Sequence, residues 1–240
     1  MADCVRQSIP NINEKLQAPP DFGGVSDPFQ EGLGCINIQG SAPIALPIEL
    51  TPPLAGQAST AWYSKHYSMS SNWRVSFTFS MTEPGTTAIA DGIVFAVQGN
   101  SNILPASGTG GTLGYGGVSN ILAVEFDSFG NGSPVFDPIE FANPDPAHIA
   151  ITTSPFHDTG LLSNFYLVGD FGVAINAVTV AYANGIVTVT YNGSQILSAT
   201  VDAAALVGAA GWFGFFGTTG GVELFARQTI HSWQIEGTLM

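Results

Sequence analysis

The chain has 240 residues and a formal net charge of −13, with five Lys and Arg against 18 Asp and Glu. This acidity argues against a nucleic-acid partner, which requires a basic surface, and against adsorption to an anionic membrane. Hydrophobic residues make up 45% of the chain and charged residues only 10%, so a large core can be buried. No apolar run is long enough for a membrane-spanning helix, and we expect no membrane insertion.

The chain divides into two parts by composition. Residues 1–30 are polar and rich in proline, and we interpret them as an irregular lead-in to a single domain over residues 31–240. Cys4 and Cys35 form an even pair near one end of the chain. If the protein is secreted, a disulfide between them is favoured over two buried thiols.

Three segments in the first half of the domain have the pattern of β-strands. Residues 74–81 alternate between apolar and polar side chains, which predicts a strand with one buried face. Residues 92–97 are almost continuously apolar, as is typical of a strand buried on both faces. Residues 121–127 begin in the same way and then become acidic.

The second half contains the clearest turn signal. Asn184-Gly185 separates two β-rich runs and predicts a hairpin, because a type I′ turn requires two positive φ angles. Residues 211–216 and 230–235 are predicted closing strands, and residues 202–207 are the one helix candidate. Many short strands without helical crossovers indicate an all-β antiparallel sandwich of the jelly-roll type.

Residues whose chemistry suggests a site are concentrated at residues 124–131. Side chains at i and i+2 on a strand share one face, so Glu125 and Asp127 are expected to lie about 7 Å apart at their Cα atoms. Two such carboxylates at the end of an apolar strand repel each other unless a cation, a shared proton or water intervenes.

A metal ion resolves this repulsion best. Carboxylate, amide and carbonyl oxygens suit calcium, and Asn131 supplies an amide close to Asp127. Asp137, Asp145 and His148 follow, and a histidine among carboxylates suits a transition ion such as manganese. The alternative is a set of solvated loop acids with His148 in a turn.

A glycoside hydrolase on a related jelly-roll scaffold is the competing functional class. Retaining glycosidases of this kind continue the pattern as Glu-x-Asp-x-x-Glu, which provides two catalytic carboxylates. Here the third position is Gly130, so one carboxylate is missing and hydrolysis is disfavoured.

Several segments together resemble the legume (L-type) lectin family, including its bacterial members. The resemblance extends from about Gly34 to Ile235 and rests on motifs that are weak singly but specific in this order. The segments are residues 90–95, 110–115, 124–131, 148–151, 214–220 and 231–235.

The resemblance implies a calcium-dependent carbohydrate-binding protein, and one role compatible with it is the sugar-binding module of a secreted or surface adhesin involved in cell adhesion. It implies glycans as partners, an extracellular location and the capacity to form homo-oligomers. It also implies a cis peptide bond between Ala90 and Asp91.

The resemblance also assigns roles to particular residues. Sugar would contact Asp91, Gly111, the Phe129 ring, Asn131 and the loop with Gly220 and Gly221. Calcium would be bound by Asp127, the Phe129 carbonyl, Asn131 and a later aspartate. A manganese-type ion would be bound by Glu125, Asp127, the same aspartate and His148.

The identity of that later aspartate depends on a lengthened loop before His148. Asp137 has the expected spacing from Asp127 and is favoured, and Asp145 is the alternative because it is closer to His148. If neither reaches the site, calcium binds without the second ion.

Overall fold

The protein is an antiparallel β-sandwich, as predicted. The computed structural model describes residues 20–82, 89–131, 147–153, 160–172 and 174–240. Cys4, Asp137, Asp145 and His157 lie outside these ranges, so the predicted disulfide and the choice between the two aspartates remain predictions. No helix among the described residues is both long and apolar enough to cross a membrane.

Two sheets form the sandwich within the described residues. Their strands are β1 (Gly24–Ser26), β2 (Ile36–Gly40), β3 (Ile48–Thr51), β4 (Ala58–Tyr63), β5 (Tyr67–Ser68), β6 (Trp73–Thr82), β7 (Gly92–Gln98), β8 (Ile121–Asp127), β9 (His148–Thr153), β10 (Tyr166–Leu167), β11 (Asn176–Ala183), β12 (Ile186–Tyr191), β13 (Ser194–Thr200), β14 (Ala210–Thr218) and β15 (Arg227–Gly237). The back sheet has seven strands in the order β1-β15-β6-β11-β12-β13, with β3 also paired to β15. The front sheet has eight strands in the order β10-β9-β8-β7-β14-β4-β2, with β5 also paired to β14.

The strands predicted from periodicity are confirmed. β6 alternates between buried and half-buried residues over most of its length, and all of β7 is buried. The predicted hairpin joins β11 to β12, with φ of 53° at Asn184 and 81° at Gly185. The predicted helix is α2 (Ala203–Val207), and the Asp202 side chain caps its N-terminus.

Part of the predicted lead-in is regular structure, so the prediction that it is irregular was wrong there. β1 pairs with the end of β15, and helix α1 (Pro28–Glu31) follows it. The Asp27 carboxylate accepts hydrogen bonds from the backbone N–H groups of Phe29 and Gln30, and proline occupies the first turn. Asp-Pro is a recognisable helix start, but a three-residue strand is too short for a periodic signal.

Two apolar cores lie on opposite faces of the front sheet. On β8, the side chains of Leu122, Val124 and Phe126 pack into the core between the sheets. Ile121 and Ala123 point the other way, into a smaller core. That second core also contains Leu113 and Tyr115, so the loop between β7 and β8 covers this face. The acidic end of β8 continues the face covered by this loop.

Candidate functional site

Glu125 and Asp127 lie at the buried end of β8. Both residues have 0% exposure, and they share the outer face of the front sheet, as the strand periodicity predicted. Asp127 lies opposite Gly92 on β7 and opposite His148 on β9. His148 Nε2 is 3.4 Å from Glu125 Oε1. Two neighbouring strands, β8 and β9, therefore bring two carboxylates and an imidazole together.

Tyr115, in the loop between β7 and β8, hydrogen bonds to Glu125 of this acidic pair. Its hydroxyl donates to Glu125 Oε2 over 2.7 Å and lies 2.8 Å from Thr152 Oγ1. Burial, reinforced by the negative charge of Glu125, raises the pKa of Tyr115 well above 10, so the phenol stays protonated and can donate. Its exposure is only 1%, so Tyr115 is a packing and orienting residue.

The turn after β8 brings oxygen atoms back towards the carboxylates. The backbone N–H of Phe129 donates to Asp127 Oδ1 over 2.9 Å. The Asn131 side-chain amide donates to the Phe129 carbonyl over 3.1 Å. Consequently the carboxylate of Asp127, the carbonyl of Phe129 and the amide of Asn131 follow one another around a single turn.

Asp91 lies beside this turn and its side chain is almost fully buried. The peptide bond between Ala90 and Asp91 is cis, which confirms the prediction. The Asp91 N–H donates to the Thr218 carbonyl over 3.0 Å. The Asp91 carbonyl accepts hydrogen bonds from the Ser128 N–H and hydroxyl, at 2.8 and 2.7 Å. The ends of β8 and β14 thus fix the backbone of Asp91.

Two of the predicted glycines lie directly against the predicted polar residues. A Cβ atom added at Gly111 would lie 2.7 Å from Cγ of Asn131, and one added at Gly220 would lie 3.0 Å from Oδ2 of Asp91. Gly221 has no such neighbour within 4 Å. The structure therefore brings Asp91, Asn131, Gly111 and Gly220 to one place, and Gly221 borders open space.

The donor atoms of this cluster meet part of the requirements of a metal site. Oxygen atoms from carboxylates, an amide and a carbonyl match calcium, and the nearby imidazole matches a transition ion. No set of three His, Cys, Asp or Glu side chains within the described ranges has the arrangement of a metal site. The described residues fit part of such a site, which would also use the Phe129 carbonyl, the Asn131 amide and an aspartate from residues 132–146.

Several aromatic residues and histidines elsewhere in the domain have structural roles. Phe213, Phe215 and Phe216 are fully buried in the two cores. His231 hydrogen bonds with the Ser80 hydroxyl, and His66 packs edge-on against Trp212, so neither lies in the candidate site. Thr218 belongs to the segment at residues 214–220 and Ser128 to the segment at residues 124–131, but the resemblance gave Ser128 no role of its own.

Comparison with known proteins identifies the family. The legume lectin domain model matches residues 28–239. The chain belongs to the legume lectin family. It is 28% identical to a lectin-related protein of Cladrastis kentukea and 27% identical to the anti-H(O) lectin of Lotus tetragonolobus. Those matches cover 68% and 62% of this chain, but only 56% and 62% of the relatives' own length.

Solved lectin structures have the same fold. A Lotus tetragonolobus seed lectin matches 86% of this chain and 94% of its own length, with 27% identity and a TM-score of 0.71. A Bauhinia forficata lectin in complex with GalNAc matches 88% of this chain and 96% of its own length, with 24% identity and a TM-score of 0.70. The match to the second structure concerns the fold alone.

Proposed function

We propose that this member of the legume lectin family binds neutral glycans in a calcium-dependent manner. The observation that carries the proposal is the convergence of Asp91, Asn131, Gly111 and Gly220 beside the carboxylates of β8. A carboxylate and an amide provide charge-assisted and neutral hydrogen bonds to sugar hydroxyls. Because Gly111 and Gly220 have no Cβ, the Asn131 amide and the Asp91 carboxylate can lie directly against their backbones.

Each contacting group has a separate role in this proposal. Asp91 accepts hydrogen bonds from sugar hydroxyls, and Asn131 and the Gly111 N–H complete the polar contacts. The half-buried Phe129 ring packs against the apolar face of the sugar. Gly220 and Gly221 border the ligand and contribute to its selection.

In this proposal, metal ions hold the residues of the sugar site in position. Calcium would be held by Asp127, the Phe129 carbonyl, Asn131 and Asp137, with Asp145 as the alternative to Asp137. A manganese-type ion would be held by Glu125, Asp127, His148 and the same aspartate. Such ions offset the repulsion of the buried carboxylates and fix the turn that carries Asn131.

We assign no hydrolytic step to the protein. Gly130 stands where a related glycosidase would have its second catalytic carboxylate. Release of reducing sugar from a glycan, abolished by Glu125→Gln, would support a glycoside hydrolase and overturn this assignment. A metal-stabilised sandwich without ligand is the remaining alternative, and sugar binding would exclude it.

The biological setting follows from the family. We propose an extracellular protein that acts in adhesion, with several sites per assembly. A shallow sugar site typically binds with a Kd on the order of millimolar, so useful avidity requires multivalency.

A glycan array in calcium buffer tests the proposed function. It should include GalNAc and galactose, which are named for structurally similar lectins, and the H(O) antigen, which is named for a relative similar in sequence. We expect binding by the wild type and a loss of at least about tenfold in affinity for Asp91→Asn, because the amide cannot replace hydrogen bonds to a charged group.

A matched variant controls for the change of charge. Asp202→Asn also exchanges one carboxylate for an amide, but it lies at the N-terminus of α2, where asparagine caps equally well. It should bind like the wild type. Equal binding by Asp91→Asn and the wild type would mean that the sugar site lies elsewhere.

A further inference from the structure

Thr218 and Thr219 lie where two loops of the proposed sugar site and a third, neighbouring loop meet the end of β14. Both residues have 0% exposure. The loops are residues 52–57, residues 89–91 and residues 110–112. Each loop is hydrogen bonded to one or both threonines.

Thr219 uses its hydroxyl and both backbone groups to connect two of these loops. Its hydroxyl donates to the Leu54 carbonyl over 2.7 Å and accepts from the Gln57 N–H over 2.8 Å. Its N–H donates to the Gln57 carbonyl over 3.0 Å, and its carbonyl accepts from the Gly110 N–H over 3.1 Å. The hydroxyl is thus a donor to one residue of loop 52–57 and an acceptor from another.

Thr218 connects the loop at residues 89–91 to the loop at residues 110–112. Its carbonyl accepts from the Asp91 N–H over 3.0 Å and from Nε2 of the buried Gln228 over 2.7 Å. Its hydroxyl donates to the Gly110 carbonyl over 3.2 Å. Thr218 therefore hydrogen bonds both to Asp91 and to Gly110, the residue next to Gly111.

We propose that Thr218 and Thr219 are positioning residues that set the relative positions of Asp91, Gly111 and Gly220. The proposal rests on the proposed sugar-binding function of that site. A weak ligand gains affinity when donors and acceptors are already placed, because ordering them on binding consumes free energy. All these hydrogen bonds lie within the polypeptide, and none of them uses a metal ion.

The loop at residues 52–57 thereby becomes part of the site. Besides the bonds to Thr219, its Gly56 N–H donates to the Gly220 carbonyl over 2.7 Å. None of these hydrogen bonds connects the loop at residues 52–57 to Asp91. Its effect on sugar binding would pass through Thr219 and Gly220.

The test compares Thr219→Val with Thr219→Ser, using the immobilised sugar that gives the highest array signal with the wild type. Valine keeps the shape but removes the hydroxyl, so sugar affinity should fall about tenfold. Serine keeps the hydroxyl and should restore affinity to within about twofold of the wild type. Calcium affinity, measured by calorimetry without sugar, should be the same in all three proteins.

Two further variants separate positioning from general damage. Thr153→Val removes a comparable hydroxyl-to-carbonyl bond, to Ile121 at the opposite end of β8, and should leave sugar affinity unchanged. Gln228→Met removes the donor to the Thr218 carbonyl and should weaken sugar binding about threefold even if Thr219→Val does not fold.

These measurements distinguish failure of the positioning role from failure of the proposed lectin function. If the wild type binds sugar and neither Thr219→Val nor Gln228→Met binds more weakly, the positioning role is wrong while the lectin function stands. An equal loss of sugar affinity in Thr219→Val and Thr219→Ser would also contradict a role for the Thr219 hydroxyl. If the wild type binds no glycan on the array, the proposed function fails, and the positioning role fails with it.

Discussion

At the scale of single residues, the candidate site depends on positions where a side chain is missing. Gly111 leaves space that the Asn131 amide fills, and Gly220 does the same beside the Asp91 carboxylate. Side chains at these positions would push against the polar groups that we expect to meet the sugar. Substitutions at Gly111 and Gly220 should therefore weaken sugar binding more than they lower the stability of the fold.

Replacement of Gly111 by alanine tests this expectation. The new Cβ would lie 2.7 Å from the Asn131 amide, and the asparagine must move to relieve the contact. We expect sugar affinity to fall roughly tenfold while the melting temperature stays near that of the wild type. The measurements are calorimetric titration and thermal unfolding.

Gly34→Ala is the control for that variant. Its Cβ would meet no heavy atom within 4 Å, so both affinity and melting temperature should match the wild type. A Gly111→Ala variant that binds sugar as the wild type does would show that Asn131 is not a ligand contact.

Strand periodicity predicted some parts of the site and could not predict others. It placed Glu125 and Asp127 on one face, because side chains two apart on a strand must share a face. The position of Asp91 came from the family resemblance. The role of Thr219 could not be predicted, since its hydroxyl bonds to Leu54, which is 165 residues away in sequence.

At the scale of elements, β8 joins the core to the site. Phe126 packs its ring against Phe77, Phe79 and Phe171 in the core between the sheets. The residues on either side of it, Glu125 and Asp127, project from the other face. The core thereby anchors the strand that carries the carboxylates.

Elements with strong local signals were predicted, and elements that depend on distant partners were not. The hairpin at Asn184-Gly185 follows from its turn chemistry. β1 has only three residues and exists because β15 pairs with it from the other end of the chain. Its sequence carries no periodic signal of its own, so no local reasoning could have found it.

Alanine at Gly185 should destabilise the protein without affecting sugar binding. The residue has a φ of 81°, where an L-residue costs about 1–2 kcal/mol. We expect the free energy of unfolding in urea to fall by about that amount. The hairpin belongs to the back sheet, whereas the candidate site lies on the front sheet, so the folded variant should bind sugar normally.

Gly169→Ala provides the comparison for this substitution. Its φ is not in the left-handed region and its Cβ would meet nothing within 4 Å, so stability should be unchanged. Equal stability of the Gly185→Ala variant and the wild type would contradict the type I′ turn.

At the scale of the whole molecule, charge restricts the possible partners. The net charge is −13, and each of the three basic residues in the described part of the chain has an acidic partner. The pairs are Lys65–Glu31, Arg74–Glu236 and Arg227–Glu49. Their positive charges are thus already compensated, and polyanions meet a surface of like charge.

The charge distribution predicts the behaviour of the protein on ion-exchange media. At low ionic strength the protein should pass through a heparin column and be retained by an anion exchanger at neutral pH. Retention on heparin that is lost at high salt would reveal a basic surface outside the described residues.

Loops and strands from across the molecule would form the sugar site, and metal ions would hold them in place. The most direct measurement is titration of the best sugar from the array into calcium-loaded protein, into protein treated with chelator, and into that protein after calcium is restored. We predict binding in the first state, none in the second and full recovery in the third. Unchanged affinity in the presence of chelator would contradict the claim.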